Sequence, residues 1–580
     1  MKIHNIITKL LLGIVLLIST TSQLRAAGTD DFVLIMKPVY NANFVPGSYT
    51  VVSYGDKFKR VEGFIAGKWT KIAGTGSGAI GSTGTFTPTS GASIGLNFDD
   101  TYEVRLTPDP NPSVTQKFEY ADIKFMFAST GGAFTVIDPS LKEVTQWGTA
   151  RWEDLTSAFD SSQYLEVTAT DLPDFAPNAN LSAMFSNCYV MNSSNLTLWD
   201  THNVKNMLAM FSYARAFNQP IGNWDTANVV DMASMFAGTM AFDQDISFKG
   251  GNIWNTGKVM NMGAMFANTS KFNQPIGNWD THNVQYMVNM FYNAQVFNQP
   301  IGSWDTQNVV SMSGMFAAAQ VFNQPIGSWD THNVQDMSYM FSGAPKFNLP
   351  IGSWDTHNVK KMSGMFQNAT AFNQYLGSWN ISQVGVSGSW NSMEEIFSNS
   401  SMSTRNIDEI LICWSQQPVQ AGVVFSAKGR NYCNANAQIA INTLRTTYGW
   451  NIDTTSAGAL AQASCPPLAT CLPTEQGTIK LNGAKIQGCT GRGWIDLAGD
   501  AHITPVLTND GTISFDPSIN DMVIQQNGIQ YKLARHGCIG FLTTVNGQAP
   551  QAGTVIYNST NDEFYYAVDN TQWIELFGDY

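Results

Sequence analysis

A repeat dominates this chain and leaves it few ways to fold. Its clearest copy reads PIGSWDTHNVQDMSYMFSGAPKFN, from Pro325 to Asn348. Trp recurs at 199, 224, 254, 279, 304, 329, 354 and 379, every step being 25 residues except one of 30. A Phe closes the motif M-x-x-M-F at 211, 236, 266, 291, 316, 341 and 366, and weaker copies place Phe159, Phe185 and Phe397, so ten units are legible. A fixed period of roughly 20–50 residues marks a solenoid, in which each unit buries its apolar face only by stacking on its neighbours.

Within a unit, the residue four before each Phe is Leu155, Leu181, Met207, Met232, Met262, Met287, Met312, Met337, Met362 or Met393, and all are apolar. An i, i+3, i+4 spacing puts such side chains on one face of a helical turn. The F-N-Q-P-I-G-x-W stretch that follows suits an extended segment and a corner. Each unit is therefore expected to be a helical or 3₁₀ turn, a loop and a short strand, which gives an α+β repeat solenoid of 25-residue units.

The aromatic columns have two readings. Sugars stack on aromatic faces, so the Trp ladder suits a carbohydrate platform. One Trp per coil beside Ile and Val is more simply core, and Trp224, Trp279, Trp304, Trp329, Trp354, Phe291, Phe316 and Phe341 are assigned to it. Asp follows Trp at 200, 225, 280, 305, 330 and 355. Stacked carboxylates about 5 Å apart repel by about 1 kcal/mol or more per pair near a surface. An Asx turn, in which Asp accepts nearby backbone N–H groups, is the simpler compensation, and a line of Ca²⁺ ions the sharper one. His202, His282, His332 and His357 share a column with Ala227, Gly257 and Gln307, as a solvated loop face would. The Asn after Phe, at 218, 273, 298, 323, 348 and 373, suits an amide ladder between coils.

At 580 residues the chain exceeds one compact core. Residues 1–27 read as a secretory signal: Lys2 and Lys9, then the apolar run Leu10 to Ile18, too short to span a bilayer. Residues 28–145 read as a β-sandwich-like domain, 146–400 as the solenoid, 401–460 as its C-terminal cap and 465–580 as a β-hairpin repeat domain. The solenoid thus lies between N-terminal and C-terminal β-rich domains. A net charge of -13 argues against nucleic acid or an anionic membrane as partner, and membrane insertion is not expected. Only 13% of residues are charged, against roughly 25% on average. That suits contacts that depend little on salt.

Chemistry is sparse. Six of the seven Cys follow the array, and their connectivity is not readable from sequence. Cys188 reads as a small buried apolar residue. His502 and His536 lie near Cys489 and Cys538, the only nonrepeating cluster of reactive types, for which a disulfide is the simpler use. No enzyme activity, cofactor or metal is expected. The regular residues carry the fold, so specificity is expected in what varies: Tyr286, Asp336 and Lys360, and the five-residue insertion with Phe248 and Lys249.

The units F-N-Q-P-I-G-x-W-D-T-x-N-V-x-x-M-x-x-M-F resemble the BspA-like leucine-rich-repeat surface proteins of bacteria. The resemblance covers about residues 147–452, from Gln146-Trp147-Gly148-Thr149 through an exit segment with Ile410-Leu411-Ile412-Cys413-Trp414-Ser415 and Tyr448-Gly449-Trp450. Cys413 stands where the family pattern leads to Gly; a Cys413–Cys433 bridge is open without being implied by the family. The resemblance implies an exported, cell-surface protein that binds or adheres to a host or community surface protein or glycan, and supplies no catalytic residues. The alternative is a structural surface or appendage component with the solenoid as spacer. The three G-T-I/V units after Cys465 each read as a β-hairpin ending in an aromatic, and resemble short modules of bacterial surface and phage-tail-type proteins.

Overall fold

The computed structural model describes residues 31–36, 50–51, 57–73, 79–88, 101–111, 113–121, 124–129, 132–137, 141–247, 254–386, 392–454 and 459–463, with nine strands between 479 and 576. The proposed signal, Phe248 and Lys249 lie outside the described residues. The chain divides into two compact units, one of residues 1–309 and 315–322, the other of 310–314 and 323–580.

The first unit opens with two sheets. One has six strands, in the order Glu166–Val167, Leu141–Gln146, Phe32–Met36, Thr101–Pro108, Phe64–Ala73 and Thr83–Phe86. Thr101–Pro108 buries every second residue, Tyr102, Val104 and Leu106 among them, as a strand covered on one face should. The other sheet orders Val204–Asn206, Asp174–Asn180, Arg151–Asp154, Gln116–Ala121 and Lys57–Glu62. Phe32 of the first sheet meets Phe118 and Trp152 of the second, with ring centroids 5.3 and 4.9 Å apart. Both sheets draw strands from beyond residue 146, so the first coils complete them.

The coil itself is unusual. In all ten copies the residues two before and two after the motif Phe are left-handed, with φ between 52° and 69°. Around Phe211, the N–H groups of Met207, Ala209, Phe211 and Tyr213 donate to the carbonyls of Asp231, Ala233, Met235 and Ala237 on the next coil, at 3.0, 2.7, 3.0 and 2.6 Å. The carbonyls of Asn206, Leu208, Met210 and Ser212 belong to the same four peptide units. They accept from Leu181, Ala183, Phe185 and Asn187 on the preceding coil, at 2.9, 2.7, 2.9 and 2.7 Å. The peptides between them run along the coil, Met210 N–H bonding the Met207 carbonyl at 3.2 Å. The second unit repeats this: Met337, Tyr339, Phe341 and Gly343 donate to Lys361, Ser363, Met365 and Gln367 at 2.9, 2.8, 2.9 and 2.6 Å. In an ordinary strand, peptide dipoles alternate and nearly cancel. Here four peptides per coil point the same way along the stacking direction.

This corrects the expected α+β coil. The i−3 bond implied by the Met spacing is present, but a left-handed residue within each turn stops a helix from propagating. Among the described residues the coils contain no α-helix, and the expected short strand shrinks mostly to single-residue bridges such as Asp231↔Asn261 and Asp336↔Lys361. What stands is a repeat solenoid whose side chains pack as ladders. The assigned Trp and Phe residues are all buried. Phe211 stacks on Phe217 of its own coil at 3.9 Å and on Phe236 of the next at 6.0 Å. Trp304 Nε1 donates to the Ile276 carbonyl at 3.0 Å, and Trp354 Nε1 to that of Ile326 at 3.0 Å. Trp254 follows the insertion, and its buried Nε1 has no acceptor among the described residues.

Among the described residues, α-helices appear only once the coil pattern ends. Met393 bridges Phe425, and the last coil's N–H groups are met by the cap: Glu395 donates to Ser426 Oγ at 2.7 Å and Asn399 to the Lys428 carbonyl at 2.8 Å. The helix Thr404–Ser415 starts on Ser403, whose hydroxyl accepts from Asn406 N–H. The helix Ala435–Tyr448 starts on Asn434 and ends at Gly449, with φ 65°. Parallel pairs join Val424–Phe425 to Asn451–Ile452, and Asn431–Tyr432 to Ala461–Gln462.

The expected C-terminal hairpins each hold a third strand. Antiparallel sheets form from Ile479–Asn482, Lys485–Thr490 and Gly493–Asp496; from Thr512–Asp516, Asp521–Gln526 and Ile529–Leu533; and from Val555–Asn558, Glu563–Ala567 and Trp573–Leu576. Gln526 pairs with Ile529 across the dipeptide Asn527-Gly528, the strongest short-range hairpin signal.

Trp304→Ala is expected to lower stability by about 3–5 kcal/mol, because it removes a buried ring and the donor to Ile276. An unchanged thermal melt would take this Trp out of the core.

Candidate ligand-binding surface

Most of the outward polar residues serve the fold. Asp200, Asp225, Asp280, Asp305, Asp330 and Asp355 each accept the N–H two residues on, at 3.0–3.2 Å. That is the Asx turn. Thr201, Thr281, Thr331 and Thr356 lie buried beside them, each donating its hydroxyl to a carbonyl of the next coil at 2.9 Å. The amide ladder is present: Asn298, Asn348 and Asn373 N–H groups donate to Oδ1 of Asn273, Asn323 and Asn348, at 3.0, 3.1 and 2.8 Å.

The histidines sit on these turns. Nδ1 of His202, His332 and His357 lies 2.6, 2.7 and 2.7 Å from the Asp of its own coil. His282 instead approaches Asp305 of the next coil at 3.1 Å, and Gln307 Nε2 lies 2.9 Å from the same nitrogen. The His332 hydrogen bond holds the Asp330 carboxyl below the usual carboxylate range. Partial burial works against Asp355, but its bonds to His357 prevail and its carboxyl is lowered too. Among the described residues no group of three or more His, Cys, Asp or Glu is placed to hold a metal ion.

The predicted contact residues are dispersed. Tyr286 is exposed, and its backbone bridges Asn261. Asp336 is half-buried, and its carboxylate accepts the Ser338 N–H at 2.9 Å. Lys360 Nζ donates to Gln335 Oε1 at 2.9 Å. Asp336 therefore braces its own coil, and Lys360 ties its coil to the preceding one. Two outward tyrosines, Tyr213 and Tyr339, were not singled out by the sequence reading. Each occupies a left-handed position, where a bulky residue is an outlier. The signal was readable: the same columns otherwise hold mostly Gly, Ala, Ser and Asn.

Cys413 and Cys433 are both disulfide-bonded. Cys188 is buried, its thiol directed at the Phe159 carbonyl at 3.1 Å. In the cap, Asp408 is buried and accepts the N–H groups of Cys433 and Asn434 at 2.9 and 3.1 Å. Burial still pushes its carboxyl up to about 7, and the adjacent Glu409 adds to the effect.

The family model described as "Mycoplasma protein of unknown function, DUF285" matches residues 122–248, 179–302, 248–320 and 289–410. The matches overlap and follow the repeat array. The array is thus similar to that family, whose description assigns no activity. No curated protein and no solved structure matches the chain.

Asp408 generates a pH prediction. Burial holds its folded carboxyl at about 7, well above the ordinary 3.8. A raised folded pKa contributes stability that is full below the unfolded value and is lost as pH rises through the folded one. The cap is expected to melt progressively lower from pH 4 to pH 8, and Asp408→Asn to flatten that slope. Equal slopes in the two proteins would remove Asp408 as the titrating group.

Proposed function

We propose that the protein is an exported surface-binding protein of the BspA-like leucine-rich-repeat type, whose coils contact a protein or glycan ligand on a host or community surface. The observation that carries this reading is the division of labour within the coil. The repeated Trp, Met, Phe, Thr and Asn are spent on stacking, and variety is left to outward positions such as Tyr286, Tyr292, Tyr339 and Lys361. A scaffold with a constant interior and a variable face is suited to recognition. The disulfide-bonded Cys413 and Cys433 support an oxidising compartment. The low charge supports a contact that survives physiological salt. The reading is one of binding and not of catalysis.

The test is a binding screen with the purified mature protein on immobilised matrix proteins and glycans. Saturable binding to one class, retained at physiological salt, is expected. Ordered self-association without any ligand would instead favour the spacer reading.

A further inference from the structure

Among the left-handed positions of the described coils, three carry bulky residues: Tyr213, Tyr339 and Glu395. Two of these share one column. Tyr339, Gly364 and Glu395 each lie two residues before the motif Phe on successive coils, where Tyr339 N–H bonds Ser363 and Gly364 N–H bonds Glu394. The Tyr339 side chain rests on Gly364, where a Cβ would come within 2.4 Å of its Cε1. The ring is nevertheless 49% exposed. Beyond it the Glu395 carboxylate accepts from Gln367 Nε2 and pairs with Lys428 Nζ. A half-exposed ring, an amide, a carboxylate and an ammonium thus follow one another along a few coils of the second unit.

We propose that this patch is a subsite for a neutral saccharide. The proposal rests on the surface-binding reading above and names the ligand class. A tyrosine held in a left-handed conformation with half its surface in water returns little packing for the strain, and such outliers gather at ligand sites. The C–H face of a pyranose packs on an exposed ring. Its vicinal hydroxyls match the amide and the carboxylate that follow on the next two coils, as in sites where few polar groups fix orientation. The net charge of -13 works against an anionic polymer. Tyr213 supplies the contrast. It rests on Gly238 in the same manner, but the next residue of its column is Asn268 and not an acid.

Full-length protein is titrated with chitotriose, mannotriose and cellotriose, followed by saturation-transfer NMR and calorimetry. One of the three is expected to bind. Tyr339→Asn should weaken it by about tenfold or more, while Tyr339→Phe keeps it. Asn tolerates the left-handed region, so the melting temperature of Tyr339→Asn should stay level or rise. Binding that survives Tyr339→Asn would overturn the proposal, as would a marked fall in its melting temperature, which would make the ring structural. If no trisaccharide binds while immobilised matrix proteins are captured by wild type and Tyr339→Asn alike, the saccharide subsite falls and the surface-binding reading stands.

Discussion

The structure depends on the direction of a few peptide bonds. In both units, coils such as those of Phe211 and Phe341 stand four peptide units along the stacking direction, N–H toward the next coil and C=O toward the last. Turning successive odd peptides upright while the even ones run along the coil requires left-handed residues at fixed places, and the chain supplies two per coil. A left-handed L-residue costs roughly 1–2 kcal/mol. The axial hydrogen bonds, and the aromatic ladders they bring into register, have to offset that cost in every coil.

An array of this kind cannot simply stop. Its dipoles add where those of a sheet nearly cancel, and its last coil offers a row of N–H groups. The cap answers with the Ser426 hydroxyl and the Lys428 carbonyl, and then changes the coil type to helix and strand. Glu394 and Glu395 stand at this N–H end, where negative charge is favoured for the same reason as at a helix N-terminus. In the first unit, Asp171 accepts the N–H groups of Trp147 and Gly148. The repeat is periodic; the ends are where the sequence becomes particular.

Much of this was legible. The Trp, Met and Phe columns gave the period and the core, because burial imposes the same demand on each coil. The Asp and Asn columns gave their turns and ladder for the same reason. The coil conformation was misread because M-x-x-M-F satisfies a helical turn and this linked turn equally well. The residues that decide between them, Ala209, Ser234 or Ala264, are at home in either. Gly314, Gly343, Gly364 and the Asn residues in the same columns were the discriminating signal. The exposed tyrosines break columns of Gly, Ala, Ser and Asn, a contrast present in the sequence whose meaning comes from their positive φ. Asp336 and Lys360 looked variable and proved to be braces, since a sequence shows that a position changes but not what its side chain touches.

The coil depends on handedness, and one substitution reads it directly. Ala264 has φ 53° and its N–H bonds the Val288 carbonyl of the next coil. In a right-handed helical turn, Ala→Gly costs about 0.5–1 kcal/mol. In a left-handed position it relieves more strain than the added chain entropy removes. Thermal melting of Ala264→Gly is therefore the measurement. A higher melting temperature than wild type is what the structure predicts, and a lower one would contradict it.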